Sequence, residues 1–133
     1  MKHLFLFVGI LLAVPVSAQT PEFPEDSGNV FLRLCSAVEK GKLSGDSGEA
    51  LNTMACIGYV KGVMHGASLE HGVAEAQTNR TIPKPYCDAN DIENGQIVRI
   101  VLKYIRDNPA DANKPTALLV MRALAKAYPC PIK

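Results

Sequence analysis

The chain has 133 residues, with 14 Lys and Arg against 13 Asp and Glu and a formal net charge of +1. That length makes one domain. The even charge balance argues against a general nucleic-acid or anionic-membrane binder, which would carry a basic surplus.

The chain opens MKHLFLFVGILLAVPVSAQT, with Lys2 and His3, an apolar run from Leu4 to Val16, and small residues just before Gln19. A basic start, a short apolar core and a small-residue cleavage site predict a secretory signal peptide over residues 1–18, cut after Ala18. The apolar run is too short to span a bilayer comfortably, and no cysteine follows the cut to carry a lipid. Lys2 is the only charged residue removed, so the exported chain is balanced in charge. No later apolar run is long enough to cross a membrane, so no membrane contact is expected after the signal is removed.

Residues 19–27, QTPEFPEDS, are rich in proline and acid and predict an extended leader; the helical domain is expected over 28–133. Ser27 or Asn29 can cap a first helix across NVFLRLCSAVEKG, with Phe31, Leu34, Cys35 and Val38 on one face. Gly41 ends it, and GKLSGDSGE reads as a turn.

A second helix starts near Ser47 and runs to about Gly72 or Ala74. Leu51, Ala55, Gly58, Gly62, Gly66 and Leu69 fall in one arc, with Ile57, Val60, Met64 and Ala67 roughly opposite. Lys61, His65 and Ser68 occupy a narrower polar strip. Two apolar faces predict a central helix packed on both sides. Gly58, Gly62 and Gly66 each cost about 1 kcal/mol relative to alanine in a helix interior. Close packing of a neighbouring helix on their flat side is the reading that accounts for them. A membrane dimer motif does not, because Lys61 and His65 share the helix.

Residues 74–91 contain Pro83 and Pro85 without periodicity and predict a long loop, within which Asn79–Thr81 matches a glycosylation sequon. A third helix lies in DIENGQIVRIVLKYIRDNP, with Ile97, Ile100, Val101, Tyr104 and Ile105 as its apolar stripe and Asn108-Pro109 as its stop. A fourth lies in KPTALLVMRALAKAYPC, with Pro115 suited to its first turn. Its expected ridge is Leu118, Met121, Ala125 and Tyr128, joined by Leu119 and Leu124, and Pro129 terminates it. No segment alternates as a strand would. The fold class is all-α, a small bundle of four main helices.

Cys35, Cys56, Cys87 and Cys130 all follow the signal peptide. An even count in a small exported domain points to two disulfides, whereas zinc clusters carry paired ligands two to four residues apart. Of the three pairings open to four cysteines, hairpin geometry favours 35–56 and 87–130. In an antiparallel pair of helices around the turn near residue 45, Cys35 and Cys56 sit at similar distances from that turn. The same argument brings the start of helix three to the end of helix four.

Candidate chemistry is sparse. His65 and His71 lie six apart, off the i, i+4 stack, with no acidic cluster to complete a ligand set, so surface histidines are the better reading and no metal is expected. CDANDIE lacks the glycine turn and final glutamate of a calcium loop. There is no GxSxG, no phosphate-cradling glycine loop, and no cofactor box among Tyr59, Tyr86, Tyr104 and Tyr128. A cysteine nucleophile requires a free thiol, which two disulfides leave no room for. No enzyme and no cofactor are expected.

Five ordered pieces carry a resemblance: FLRLC at 31–35, CIGYVKGVMHG at 56–66, Cys87 ahead of the third helix, QIVRIVLKYIRDNP at 96–109 and ALLVMRALAKAYPC at 117–130. The chain resembles the Rap/Tai family of immunity proteins, small exported helical proteins that neutralise amidase effectors of type VI secretion. Three positions depart from the family pattern: His65 where an acid is common, Ala89 where a proline is common, and Asn108 in place of histidine before Pro109. The resemblance implies a periplasmic, disulfide-bonded helical protein, often a homodimer, whose partner is a peptidoglycan-cleaving amidase and whose function is to occlude that enzyme's cleft. It brings no catalytic residues. The contact surface is then expected on the 76–91 loop, with Asn79, Arg80, Lys84 and Tyr86, since Arg and Tyr concentrate at binding centres. The alternative is a small disulfide-bonded periplasmic chaperone that exposes apolar helix faces in acid.

Overall fold

The computed structural model describes residues 27–41, 47–87 and 92–131. The signal peptide expected over 1–18, the leader up to Ser27, the middle of the 41–49 turn and part of the CDANDIE stretch lie outside the described residues.

Ser27 caps the first helix: its hydroxyl accepts from the Val30 amide at 3.4 Å, satisfying one of the free donors of the first turn. Helix α1 runs over Gly28–Cys35 and tightens into a 3-10 turn over Ser36–Lys40. Gly41 closes it at φ 66, a left-handed position that glycine adopts without a Cβ clash. Helix α2 covers Ser47–Thr78, 32 residues, and at 1.5 Å per residue is about 48 Å long. It continues past Ala74, where the sequence reading ends it, because Glu75, Ala76 and Gln77 favour helix. Asn79, at φ 49, supplies the left-handed stop.

Helix α3 spans Asn94–Asp107, a short 3-10 turn follows at Pro109–Asp111, and α4 spans Thr116–Ala127. Pro115 stands one residue ahead of α4 as its cap, at φ −53 and ψ 134, rather than in its first turn. The described residues contain these four helices and no strand. Helix α3 packs against α4, α2 and α1, and is the element all others touch. Its fully buried Val98, Val101, Leu102 and Ile105 meet Phe31 of α1 and Leu119, Val120 and Leu124 of α4 in one core. Each such large side chain removed from water contributes about 1.5–3 kcal/mol.

Disulfides join Cys35 to Cys56 and Cys87 to Cys130, the pairs that hairpin geometry favours. The first ties the end of α1 to α2; the second closes the open end of the α3–α4 hairpin. Their sequence separations of 21 and 43 correspond to about 3 and about 4 kcal/mol of lost loop entropy in the unfolded chain.

Two packing expectations are corrected. The first concerns α2, which is covered on one side only. Cys56 and Val60 are its buried residues, and Ile57, Met64 and Ala67 flank them in partial burial. The opposite arc is exposed, and a Cβ added at Gly58, Gly62 or Gly66 would meet nothing within 4 Å. No helix among the described residues packs on that strip: the three that α2 meets all sit on the Cys56 side, pinned there by the disulfide. The second concerns α4, whose buried face is Leu119, Val120, Ala123 and Leu124, while Leu118 is 41% exposed and Met121, Ala125 and Tyr128 are half-buried. Helix α4 is apolar nearly all round, so periodicity could not single out its inner face.

The glycine that close packing does require is Gly28. An added Cβ there would lie 2.5 Å from Leu119 Cδ1 and 3.0 Å from the Ala112 carbonyl oxygen. The Gly28 amide donates to the Lys114 carbonyl at 3.2 Å and the Asn29 amide to that of Ala112 at 2.9 Å, so the start of α1 is seated on the α3–α4 connection. Asp111 in turn accepts from Lys114 at 2.6 Å and Arg122 at 2.8 Å, holding that connection on α4. At the C-terminal end of α3, just before that connection, Arg106 grips Glu39 with two parallel bonds, Nη2 to Oε2 at 2.6 Å.

Gly28→Ala is expected to cost about 1–3 kcal/mol through overpacking, whereas Gly72→Ala, with open space around it, should stabilise by about 0.5–1 kcal/mol through helix propensity; denaturant melts of both variants measure the contrast. The Arg106 hydrogen bonds hold the Glu39 carboxyl below its ordinary range. The pair's stabilisation is therefore present above the unfolded value and lost as pH falls through the lowered one. Glu39→Gln should lower Tm modestly at neutral pH, and the difference from the parent should shrink once pH drops below about 4.5.

Candidate functional site

The segment leaving α2 doubles back and is held on it by two of the helix's own side chains. The Ile82 amide donates to Glu75 Oε1 at 3.0 Å, and the Ile82 carbonyl lies 2.7 Å from His71 Nε2. A carbonyl can only accept, so Nε2 carries the hydrogen in this contact. His71 Nδ1 then faces Glu75 Oε2 at 3.7 Å. His71 and Glu75 stand one turn apart on one face of α2, which is why both can reach a single residue. The sequence predicts a surface histidine at His71; in the fold its side chain is 13% exposed and holds this loop through the Ile82 carbonyl. The i, i+4 His–Glu spacing was the signal that could have found it.

The other end of the loop is held as firmly. The Cys87 amide donates to the Tyr128 carbonyl at 2.9 Å beside the Cys87–Cys130 disulfide. Residues 82–87 are thus fastened at both ends, once to α2 and once to the end of α4.

Of the residues expected to contact a partner, Asn79, Arg80 and Lys84 are exposed. Tyr86 is turned inward, half-buried against α2, with its hydroxyl 3.5 Å from the Met64 carbonyl. Burial pushes the Tyr86 phenol above its ordinary pKa, with a hydrogen bond to Ser68 opposing that. Its ring supports the loop; its edge also lines a shallow cleft of about 150 Å³ with Lys61, Met64, His65, Ser68, Ile92, Asn94 and Ile97. That volume is below the usual range of small-molecule sites.

No group of three His, Cys, Asp or Glu among the described residues could hold a metal ion. All four cysteines are disulfide-bonded, so no thiolate nucleophile exists here. No helix among the described residues is long and apolar enough to cross a membrane. What the arrangement offers is a preorganised surface: exposed polar and basic side chains on a segment whose ordering has already been achieved in folding.

These features define a small, disulfide-stapled, all-helical domain that presents a fastened loop. The family model of Rap1a immunity proteins matches residues 27–130, from the Ser27 cap to the last cysteine, and the chain belongs to that family. No curated protein and no solved structure matches it.

Glu75→Ala leaves the Ile82 amide without its charged acceptor, which removes about 1.5–3 kcal/mol of local hydrogen bonding. Amide exchange at Ile82 should accelerate at least about tenfold, while exchange at Val101 and Leu102 in the core stays unchanged; exchange measured by NMR reads both.

Proposed function

We propose that this chain is an exported immunity protein that acts in the periplasm by binding a peptidoglycan amidase effector and occluding its cleft, so that the producing cell survives its own toxin. The observation that carries this reading is membership of the Rap1a immunity protein family across residues 27–130. The chemistry of the chain agrees with it. An occluding inhibitor needs rigidity, and two disulfides with a doubly fastened loop support that part of the reading. It needs no catalytic group, and its role is non-enzymatic.

The partner surface in this reading is the loop carrying Asn79, Arg80 and Lys84, with Tyr86 beneath it as support. Arg80 offers a planar guanidinium that can pair with carboxylates or stack on aromatic rings at an enzyme cleft. Exported disulfides persist in an oxidising compartment, which suits the periplasm.

Directing an amidase effector encoded beside this chain to the periplasm should lyse cells, and co-expression of this protein should prevent lysis. Arg80→Ala combined with Lys84→Ala should raise the Kd for that amidase at least about tenfold without changing Tm. Lysis undiminished by co-expression overturns the reading; full protection by the double variant moves the contact surface elsewhere.

A further inference from the structure

The two disulfides sit in opposite settings. Cys35 and Cys56 are both 0% exposed and both lie on helices, at the end of α1 and inside α2. Cys87 and Cys130 are half-buried and lie outside every helix, one at the end of the fastened loop and the other beyond α4. Around this second pair, Lys84, Pro85, Pro129 and Pro131 are exposed. A reagent in water can therefore reach the second bridge, while the core seals the first. Thiol–disulfide exchange needs a thiolate to reach a sulfur, so access separates a labile bridge from an inert one.

The surroundings of the second bridge also accommodate its reduced state. Cys130 Sγ lies 3.6 Å from the Lys84 carbonyl oxygen. A disulfide sulfur carries no hydrogen, so in the oxidised protein nothing is donated across this contact; a thiol there would find its acceptor already in place. The Cys87 amide is bonded to the Tyr128 carbonyl at 2.9 Å, two residues before Cys130. That bond does not involve the sulfurs, so it keeps the two cysteines near each other and lets the bridge re-form.

Little of the core depends on this bridge. None of the buried core residues lies in 82–87 or 128–131; Tyr86 and Tyr128 rest against the core in partial burial. Ile82 is held by Glu75 and His71, with no help from the disulfide. Opening the bridge therefore slackens the chain beyond Ile82 and leaves the Cys35–Cys56 tie and the packing of α1, α3 and α4 in place.

We propose that Cys87–Cys130 is a site of reversible thiol–disulfide exchange, opened by a protein dithiol of the Cys-x-x-Cys class, that releases one end of the loop while Cys35–Cys56 holds the fold. One thiolate of the dithiol attacks a sulfur of the bridge, forming a mixed disulfide and expelling the other cysteine as a thiolate. The second thiolate of the dithiol then attacks its own neighbour's sulfur and expels the second cysteine. Two electrons pass to the bridge, the dithiol's two protons pass through water to the freed cysteines, and the dithiol leaves as a disulfide. In an oxidising compartment the bridge stands closed. Reduction converts a preorganised surface into a slack one, which costs affinity for a partner. That consequence rests on the amidase reading; the exchange itself does not.

Folded, oxidised protein treated with reduced thioredoxin, then alkylated and mapped by peptide mass spectrometry, should carry label on Cys87 and Cys130 at least about tenfold sooner than on Cys35 and Cys56. A thioredoxin whose second active-site cysteine is replaced by serine should be trapped as a mixed disulfide on Cys87 or Cys130. With the bridge open, amide exchange at Tyr86 and Cys87 should accelerate at least about tenfold while Val101 and Leu102 keep their rates. Label reaching all four cysteines together, or none before denaturant is added, overturns the proposal. So does exchange that quickens throughout the core, which makes the bridge a staple of the whole fold. A Kd for the amidase that is unchanged on opening overturns the control of the loop and leaves the immunity reading standing. Lysis undiminished by co-expression bears on the amidase reading alone.

Discussion

The Cys35–Cys56 disulfide determines how α2 is turned about its own axis, and most of the molecule's outward character follows from that. Helix α2 is by far the longest element, yet Cys56 and Val60 are its only fully buried residues among those described. A helix apolar on two faces could bury either one. The disulfide, itself wholly buried, removes the choice by binding Cys56 to the end of α1. Once Cys56 points inward, Gly58, Gly62 and Gly66 point outward, and so do Leu51 and Leu69. His71 and Glu75 then lie on the side where the returning chain can be caught.

The second disulfide works on the opposite edge with the same economy. Helices α3 and α4 bury the greater part of the core between them, but their connection alone fixes only one end of the hairpin. Cys87–Cys130 closes the other end and places the 82–87 segment along α2. Gly28 and Asn29 seat α1 on the α3–α4 connection, and Asp111 braces that connection through Lys114 and ties it to α4 through Arg122. The disulfide and the seat of α1 are short-range in space and long-range in sequence, while the Asp111 pairs are local. A domain of this size gains much from such cross-ties, because its core alone supplies a narrow margin over conformational entropy.

That construction suits a protein whose work is recognition. Rap1a immunity proteins form the family to which the chain belongs, and nothing among the described residues assembles a metal site or a free thiol. A fastened loop has little freedom left to lose, so if it is the proposed contact surface more of its contact energy would appear as affinity.

Local chemistry made much of this legible in the sequence. Ser27, Gly41 and Asn108-Pro109 punctuate the helices by capping, left-handed closure and steric exclusion, and each acts within a few residues of itself. The cysteine pairing followed from hairpin geometry for the same reason, since distance from a turn is counted along the chain. Three things were not legible. The C-terminal extension of α2 depended on Glu75 and Gln77 outweighing Gly72. The inner face of α4 was hidden because Leu118 and Leu119 are equally apolar, and only the fit against α3 chooses Leu119. The four-residue glycine spacing predicts packing within the chain, whereas the strip lies on the open side of α2. Sequence alone set the helices, most of their limits and the cross-links, because those depend on backbone sterics and chain distance. Tertiary structure alone decided which apolar face is core and which is surface, because burial depends on what else arrives from far along the chain.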